Sequence, residues 1–385
     1  MSSFLSRLLP PFEIPKPLKA GMYHWMAPDD VPIPYRLHLR VENDETSVLI
    51  VNATTVVHLN PTATAHALQI IEGASEEEAA QEVARRYRVS RSRALQDQRE
   101  LREQILTLAT IPDVDPVVFL GMDRAEPFGK HPSAPYRLDL ALTYRCDAEG
   151  ELDPLARKRV DRELSGDEWK KILTTSWEAG IPHVTFTGGE PTLREELCDL
   201  IAHAEAQGQV TGLLTDGRRL SDADYLEKLS QAGLDHILIT LVEGDPSSRE
   251  GLMNAIASDI YTAVHLTLTP GPLGKSREVL EDLVKIGVPA VSLSSSETTN
   301  ELFVELSAAR DHASDLHLDL IWDIPVPYSA TNPIALELDA PPVGAGRAWL
   351  YVEPDGDVLP TQGLDQVLGN LLRDPWSEIW SRAQG

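Results

Sequence analysis

From Tyr136 onward, short apolar runs alternate with helical stretches, and few architectures satisfy that rhythm. Residues 138–142, 183–187, 210–214, 236–241, 265–268, 290–293 and 317–321 read as strands. Between them, Ser165-Gly166-Asp167-Glu168 caps a helix reaching about Ala179, and further helices are expected over 195–207 and 221–232. Six or more strands with intervening helices imply parallel βαβ units. Right-handed crossovers roll such units into an open or closed barrel. The expected fold class is therefore α/β. Barrels place their chemistry at the carboxyl ends of the strands, and two unusual segments fall there. One is the loop from Thr143 to Asp153, which contains Cys146; the other is the turn Gly188-Gly189-Glu190-Pro191.

The chain has 385 residues, room for two domains, and its 42% apolar and 24% charged content suits a soluble globular protein. No apolar run approaches the roughly 18 residues of a membrane span. The first residues reach Pro10-Pro11 too soon for a secretory signal. A cytoplasmic protein with no membrane partner is expected. The net charge of −26 opposes nucleic-acid binding, which needs a basic face. The one basic cluster, Arg85, Arg86, Arg88, Arg91 and Arg93, is interleaved with acids. Two cysteines, Cys146 and Cys198, are too few for a disulfide framework.

Five regions follow from these patterns. Residues 1–46 form a Pro-rich, irregular arm in which Tyr23, Trp25 and Met26 offer anchors. Residues 47–110 hold a hairpin and three helices, a winged-helix-like unit whose helices begin near Asn60-Pro61, Ser75 and Ser90. Residues 111–135 are a linker, 136–335 the α/β barrel, and 336–385 a C-terminal extension containing a hairpin with an Asp355-Gly356 turn.

The loop and the turn together resemble radical S-adenosylmethionine (radical SAM) enzymes. Those enzymes carry C-x3-C-x2-C after the first barrel strand and Gly-Gly-Glu-Pro after the second. The resemblance implies a partial (β/α)6-type TIM-like barrel. Cys146 holds the first cysteine position, but Gly150 and Asp153 hold the other two. A cluster that leaves one iron to SAM needs three protein thiolates, and this chain has two in all. No iron–sulfur cofactor, no metal ligand set and no catalytic residue is therefore expected.

Positions that would contact SAM by resemblance are Gly188, Gly189, Glu190, Pro191, Thr215, Gly217, Thr240 and Glu243. Glu190 would accept from the ligand's ammonium. Asp216 stands where many relatives carry asparagine, which removes a donor. Asp147, Glu149, Glu151 and Asp153, with Asp161 nearby, have the hard oxygens for a divalent ion, and equally the character of a solvated loop. His183, His236, His265 and His317 fall at strand starts, away from the expected site.

Residues 47–110 resemble the PqqD-like peptide-recognition domain through Leu59-Asn60-Pro61, Ile71-Glu72-Gly73 and Tyr87-Arg88-Val89. Its members bind the leader of a ribosomally made precursor peptide as a strand added beside the wing. The C-terminal extension resembles the SPASM or twitch segment, with Thr361 where that family places a cluster cysteine. The resemblance implies a radical SAM-like pseudoenzyme that binds a precursor peptide or pairs with an active radical SAM partner. Two alternatives stay open: an enzyme using SAM without its own cluster, or with one completed by a partner, and a purely structural subunit.

Overall fold

The computed structural model describes residues 16–28, 31–33, 35–52, 55–111, 132–146, 160, 162–242, 244–271, 275–296, 299–321, 344–364 and 366–385. Asp147, Glu149, Gly150, Glu151, Asp153, Asp161 and Glu243 lie outside the described residues, as does most of the expected linker. The chain divides into two compact units, Met1–Ala125 and Glu126–Gly385.

In the first unit, four strands form an antiparallel sheet in chain order: β1 (Gly21–Met26), β2 (Arg36–Val41), β3 (Ser47–Val51) and β4 (Thr55–Leu59). Helices α1 (Pro61–Ile71), α2 (Glu76–Tyr87) and α3 (Arg91–Thr110) follow. Each helix starts where its cap residue says it should. Asn60 accepts from the Ala63 amide at 2.9 Å, Ser75 and Glu78 form a reciprocal capping box, and Ser90 accepts from the Arg93 amide. Replacing Ser75 with alanine is expected to cost this unit about 1 kcal/mol in a denaturant melt. Leu37, Leu39, Leu49 and Val51 of the sheet pack on Ala67, Leu68 and Ile71 of α1 and on Leu101 and Ile105 of α3.

Two strands, β1 and β2, lie in the segment expected to be irregular. Pro28 and Pro32 sit in the connection between them and leave both strands intact. The alternation Leu37-His38-Leu39-Arg40-Val41 is a strand pattern that the surrounding prolines obscured. Because β2 covers one side of β3, the hairpin's outer strand among the described residues is β4.

In the second unit, seven parallel strands run in chain order: β5 (Arg137–Thr143), β6 (His183–Gly188), β7 (Val210–Thr215), β8 (His236–Thr240), β9 (Tyr261–Leu268), β10 (Ala290–Ser295) and β11 (Asp319–Leu320). The helices between them are α4 (Gly166–Glu178), α5 (Leu197–Gln207), α6 (Ala223–Gln231), α7 (Pro246–Ala257), α8 (Lys275–Ile286) and α9 (Asn300–Asp315). Alternate strand residues, among them Leu138, Leu140, Val184, Phe186, Ile237, Val264 and Val291, pack against the helices around the fully buried Trp169. On the opposite face, Leu214, Leu238, Ala263 and Ala290 form a small apolar cluster of their own.

The expected C-terminal hairpin is present as β12 (Trp349–Val352) and β13 (Asp357–Leu359), and Gly356 turns it with φ +89°. It belongs to the same sheet, because β12 pairs in parallel with β5. A short β14 (Gly369–Asn370) continues the sheet, and α10 (Trp376–Gln384) closes the chain. Among the described residues the strand order runs from β11 to β14 without closing, so the barrel is partial.

Two other expectations change. β9 begins at Tyr261, four residues earlier than the apolar run suggested, which puts His265 in mid-strand. β11 is only two residues long, since Leu318 is a buried neighbour of the helices and His317 takes a left-handed turn at φ +59°.

Candidate functional site

The carboxyl ends of β5 to β8 meet around the Gly-Gly-Glu-Pro turn, and the two glycines explain how closely they meet. The Gly189 amide donates to the Thr143 carbonyl at 2.7 Å, and the Glu190 amide donates to the Arg145 carbonyl at 2.7 Å. A Cβ on Gly188 would sit 2.2 Å from the Thr143 oxygen, and one on Gly189 would sit 2.2 Å from the Arg145 oxygen. Gly188 also has φ +121°, which glycine alone adopts readily. The close approach made here is to the protein's own backbone, at the root of the Cys146 loop.

Glu190 is buried at 5% exposure, yet its carboxylate is fully engaged. It accepts from the Thr192 amide at 2.9 Å, the Thr192 hydroxyl at 2.5 Å, the Thr215 hydroxyl at 2.9 Å and the Asp216 amide at 2.7 Å. Pro191 is buried at the first position of a short 3-10 turn, Pro191–Leu193. Thr240 donates to the Thr215 carbonyl at 3.1 Å, and Gly217, at φ +78°, donates to the Thr215 hydroxyl at 3.2 Å. The structure thus brings Gly188, Gly189, Glu190, Pro191, Thr215, Gly217 and Thr240 into one junction.

Asp216 points its carboxylate at Arg218, accepting from the guanidinium at 2.6 Å and from the Arg218 amide at 2.9 Å. Arg218 also bonds Asp245 at 2.8 Å. The Asp216 carboxylate is thus paired with Arg218 while still acting on its neighbour Glu190.

Several residues that the motifs did not single out hold this junction together. Arg194, three residues beyond Pro191, donates to the carbonyls of Leu142 at 2.9 Å and Leu164 at 2.6 Å. It also pairs with Glu196 at 2.7 Å and Glu163 at 3.3 Å. Thr143 donates to Glu163. Tyr144 is buried among Ala141, Tyr351 and Leu359, and donates to Glu353 at 2.9 Å, which fixes the loop root to the C-terminal hairpin. The only signal for Arg194 in the sequence was a charge placed between two apolar elements.

The loop's donors do not fit an iron–sulfur cluster. Cys146 turns its thiol toward the Tyr144 carbonyl at 3.7 Å. Cys198 packs from α5 against the hydrophobic core, where burial pushes its thiol up from the ordinary value. A cluster with one site left for SAM needs three thiolates, and the sequence contains two. Thr361 is buried and accepts from the Trp349 indole at 3.2 Å. Among the described residues, no three His, Cys, Asp or Glu side chains gather as a metal site.

The histidines were expected away from this junction, but His265 lies beside Thr240 in the β8–β9 ladder. His183 and His236 begin β6 and β8 with ring centroids 5.0 Å apart. His265 bonds the Ser292 and Ser294 hydroxyls at 3.0 and 2.9 Å. Burial holds His236 and His265 neutral, each lowered to about 4 from 6.5. Once unfolded, both rings titrate normally and take up protons below 6.5. The stability these two rings contribute is thus complete above pH 6.5 and declines toward pH 4, by up to about 3 kcal/mol per ring. Glu190 has the opposite sign: burial and the Asp216 carboxylate push it up to about 7, so its contribution is lost as pH rises from 4.5 through 7. We expect melting temperature to fall between pH 6 and pH 4, and His236→Phe to flatten that limb.

Comparison with known proteins now bears on this junction. The family profile described as the Radical SAM superfamily matches residues 146–293. That stretch is similar to the radical SAM superfamily. "PqqA peptide cyclase" of Streptomyces rochei is 26% identical over 276 residues, covering 64% of this chain and 76% of that protein. The protein of the same name from Methylorubrum extorquens is 27% identical over 285 residues, covering 65% and 73%. Among solved structures, Streptococcus suis SuiB bound to precursor peptide SuiA matches with TM-score 0.57 and 14% identity over 89% of this chain and 86% of that one. SuiB bound to S-adenosylmethionine matches with TM-score 0.56 and 15% identity over the same shares. The SuiB likeness shows a shared α/β fold, and in sequence the chain is similar to the PqqA peptide cyclases. Among the described residues, no helix is long and apolar enough to cross a membrane.

Proposed function

We propose that this radical SAM-like chain is a pseudoenzyme of peptide modification that binds a ribosomally made precursor peptide without itself cleaving SAM. The observation that carries this reading is the thiol count: two cysteines in the chain, with Gly150 and Asp153 at the remaining cluster positions. Without three thiolates there is no anchored cluster to deliver an electron. Peptide binding is supported by the relatives, which include PqqA peptide cyclases and a SuiB structure holding its precursor. It is supported also by the position of β4, the outermost strand beside β3 among the described residues, where the Val56 side chain is exposed and an added strand could pair.

Anaerobic reconstitution with iron and sulfide tests the reading. We expect fewer than about one iron per chain, where a complete cluster gives about four. A stoichiometric, EPR-active cluster in the isolated chain defeats it. In a parallel titration, a labelled precursor peptide encoded beside this chain should bind equally well with or without SAM and an iron chelator.

A further inference from the structure

A chain without a cluster can still hold SAM, so the loss of thiols leaves the nucleoside site undecided. The ammonium of an amino acid brings three donors and needs acceptors that are not already taken. An ionised carboxylate offers about four acceptor positions. Glu190 meets four donors from its own chain: the Thr192 amide and hydroxyl, the Thr215 hydroxyl and the Asp216 amide, at 2.5 to 2.9 Å. Those donors sit on a 3-10 turn and on the end of β7, so they are fixed by the fold. The next carboxylate, Asp216, is taken by Arg218, which Asp245 holds from its other side. The amides of Gly189 and Glu190, which a ligand carboxylate would need, are spent on Thr143 and Arg145. Thr187 buries a hydroxyl with no hydrogen-bond partner among the described residues, but a lone neutral oxygen cannot replace a carboxylate opposite an ammonium.

We infer that Glu190 is an internal cross-link between the Gly-Gly-Glu-Pro turn and the end of β7, and that its self-satisfied junction no longer binds the amino-acid portion of SAM. The chain's own hydroxyls and amides occupy the positions that a ligand ammonium would compete for. This goes beyond the pseudoenzyme reading, which concerns iron alone.

Isothermal titration and equilibrium dialysis of iron-free protein with SAM test the inference. We expect no saturable binding up to about 1 mM. One-to-one binding with Kd below about 100 μM overturns it. The cross-link has its own readout. Glu190→Gln, which turns a donor toward groups that themselves donate, is expected to lower the melting temperature by about 5 °C, and Thr215→Val by about 3 °C. Wild-type stability in both variants overturns the structural role. Iron content measured on the same samples keeps the two readings apart. SAM binding without iron sinks this inference alone, whereas tightly held iron sinks the pseudoenzyme reading.

Discussion

Replacing Arg194 with methionine should lower the stability of the second unit by about 3–5 kcal/mol, the range for stripping one partner from a buried charge network. The guanidinium is almost wholly enclosed, at 7% exposure, and serves four acceptors. Its loss leaves the carbonyls of Leu142 and Leu164 without this donor and removes the cation facing Glu163 and Glu196. At about 2–4 °C per kcal/mol for a unit of this size, the melting temperature falls by on the order of 10 °C. Arg194→Lys should recover less than half of the loss, because a compact ammonium cannot reproduce the planar fork that reaches several acceptors at once. A calorimetric scan of the two variants beside the parent checks both statements. A methionine variant as stable as the parent would show that the loop root is held by other means.

Gly189→Ala is the second large effect expected. The added methyl would lie 2.2 Å from the Arg145 oxygen, a backbone atom that cannot rotate away. Relieving the clash means parting β6 from the loop root and breaking the two short hydrogen bonds there. We expect a cost of about 3 kcal/mol, at the upper end of overpacking penalties. Gly287→Ala provides the contrast within the same unit. Gly287 takes a left-handed backbone, at φ +95°, which Gly189 does not, but its Cβ would meet only Ile256 at 3.7 Å, so a conformational penalty of about 1 kcal/mol acts without a clash. Denaturant midpoints that fail to separate the two variants would remove the steric account of the glycine pair.

The barrel was legible because one face of each strand is uniformly apolar: Leu138, Leu140 and Leu142 in β5 announce a strand covered by helices. Legibility failed where that face was polar or interrupted. Tyr261-Thr262-Ala263 carries too little apolar character to mark the start of β9. The prolines between β1 and β2 gave the whole N-terminal segment an irregular look, although the strands themselves contain none. In the site, the Gly-Gly-Glu-Pro turn stood out as a motif, and its members do converge. What the glycines approach was not readable, since the answer is a pair of carbonyls some 45 positions earlier in the chain, at Thr143 and Arg145. Arg194, Glu163 and Glu353 escaped for the same reason. Each acts through partners distant in sequence, and a lone charged residue has no periodicity to betray it.

The parallel pairing of β12 with β5 places the flank of the first barrel strand in the care of residues synthesised long after it. Tyr144 and its partner Glu353 are 209 positions apart. During translation β5 must wait with a bare hydrogen-bonding flank until residue 352 has left the ribosome. Long-range strand pairing of this kind is slow and exposes sticky intermediates. Nascent chains stalled before the β12–β13 hairpin should therefore depend on chaperones in a way that chains containing it do not.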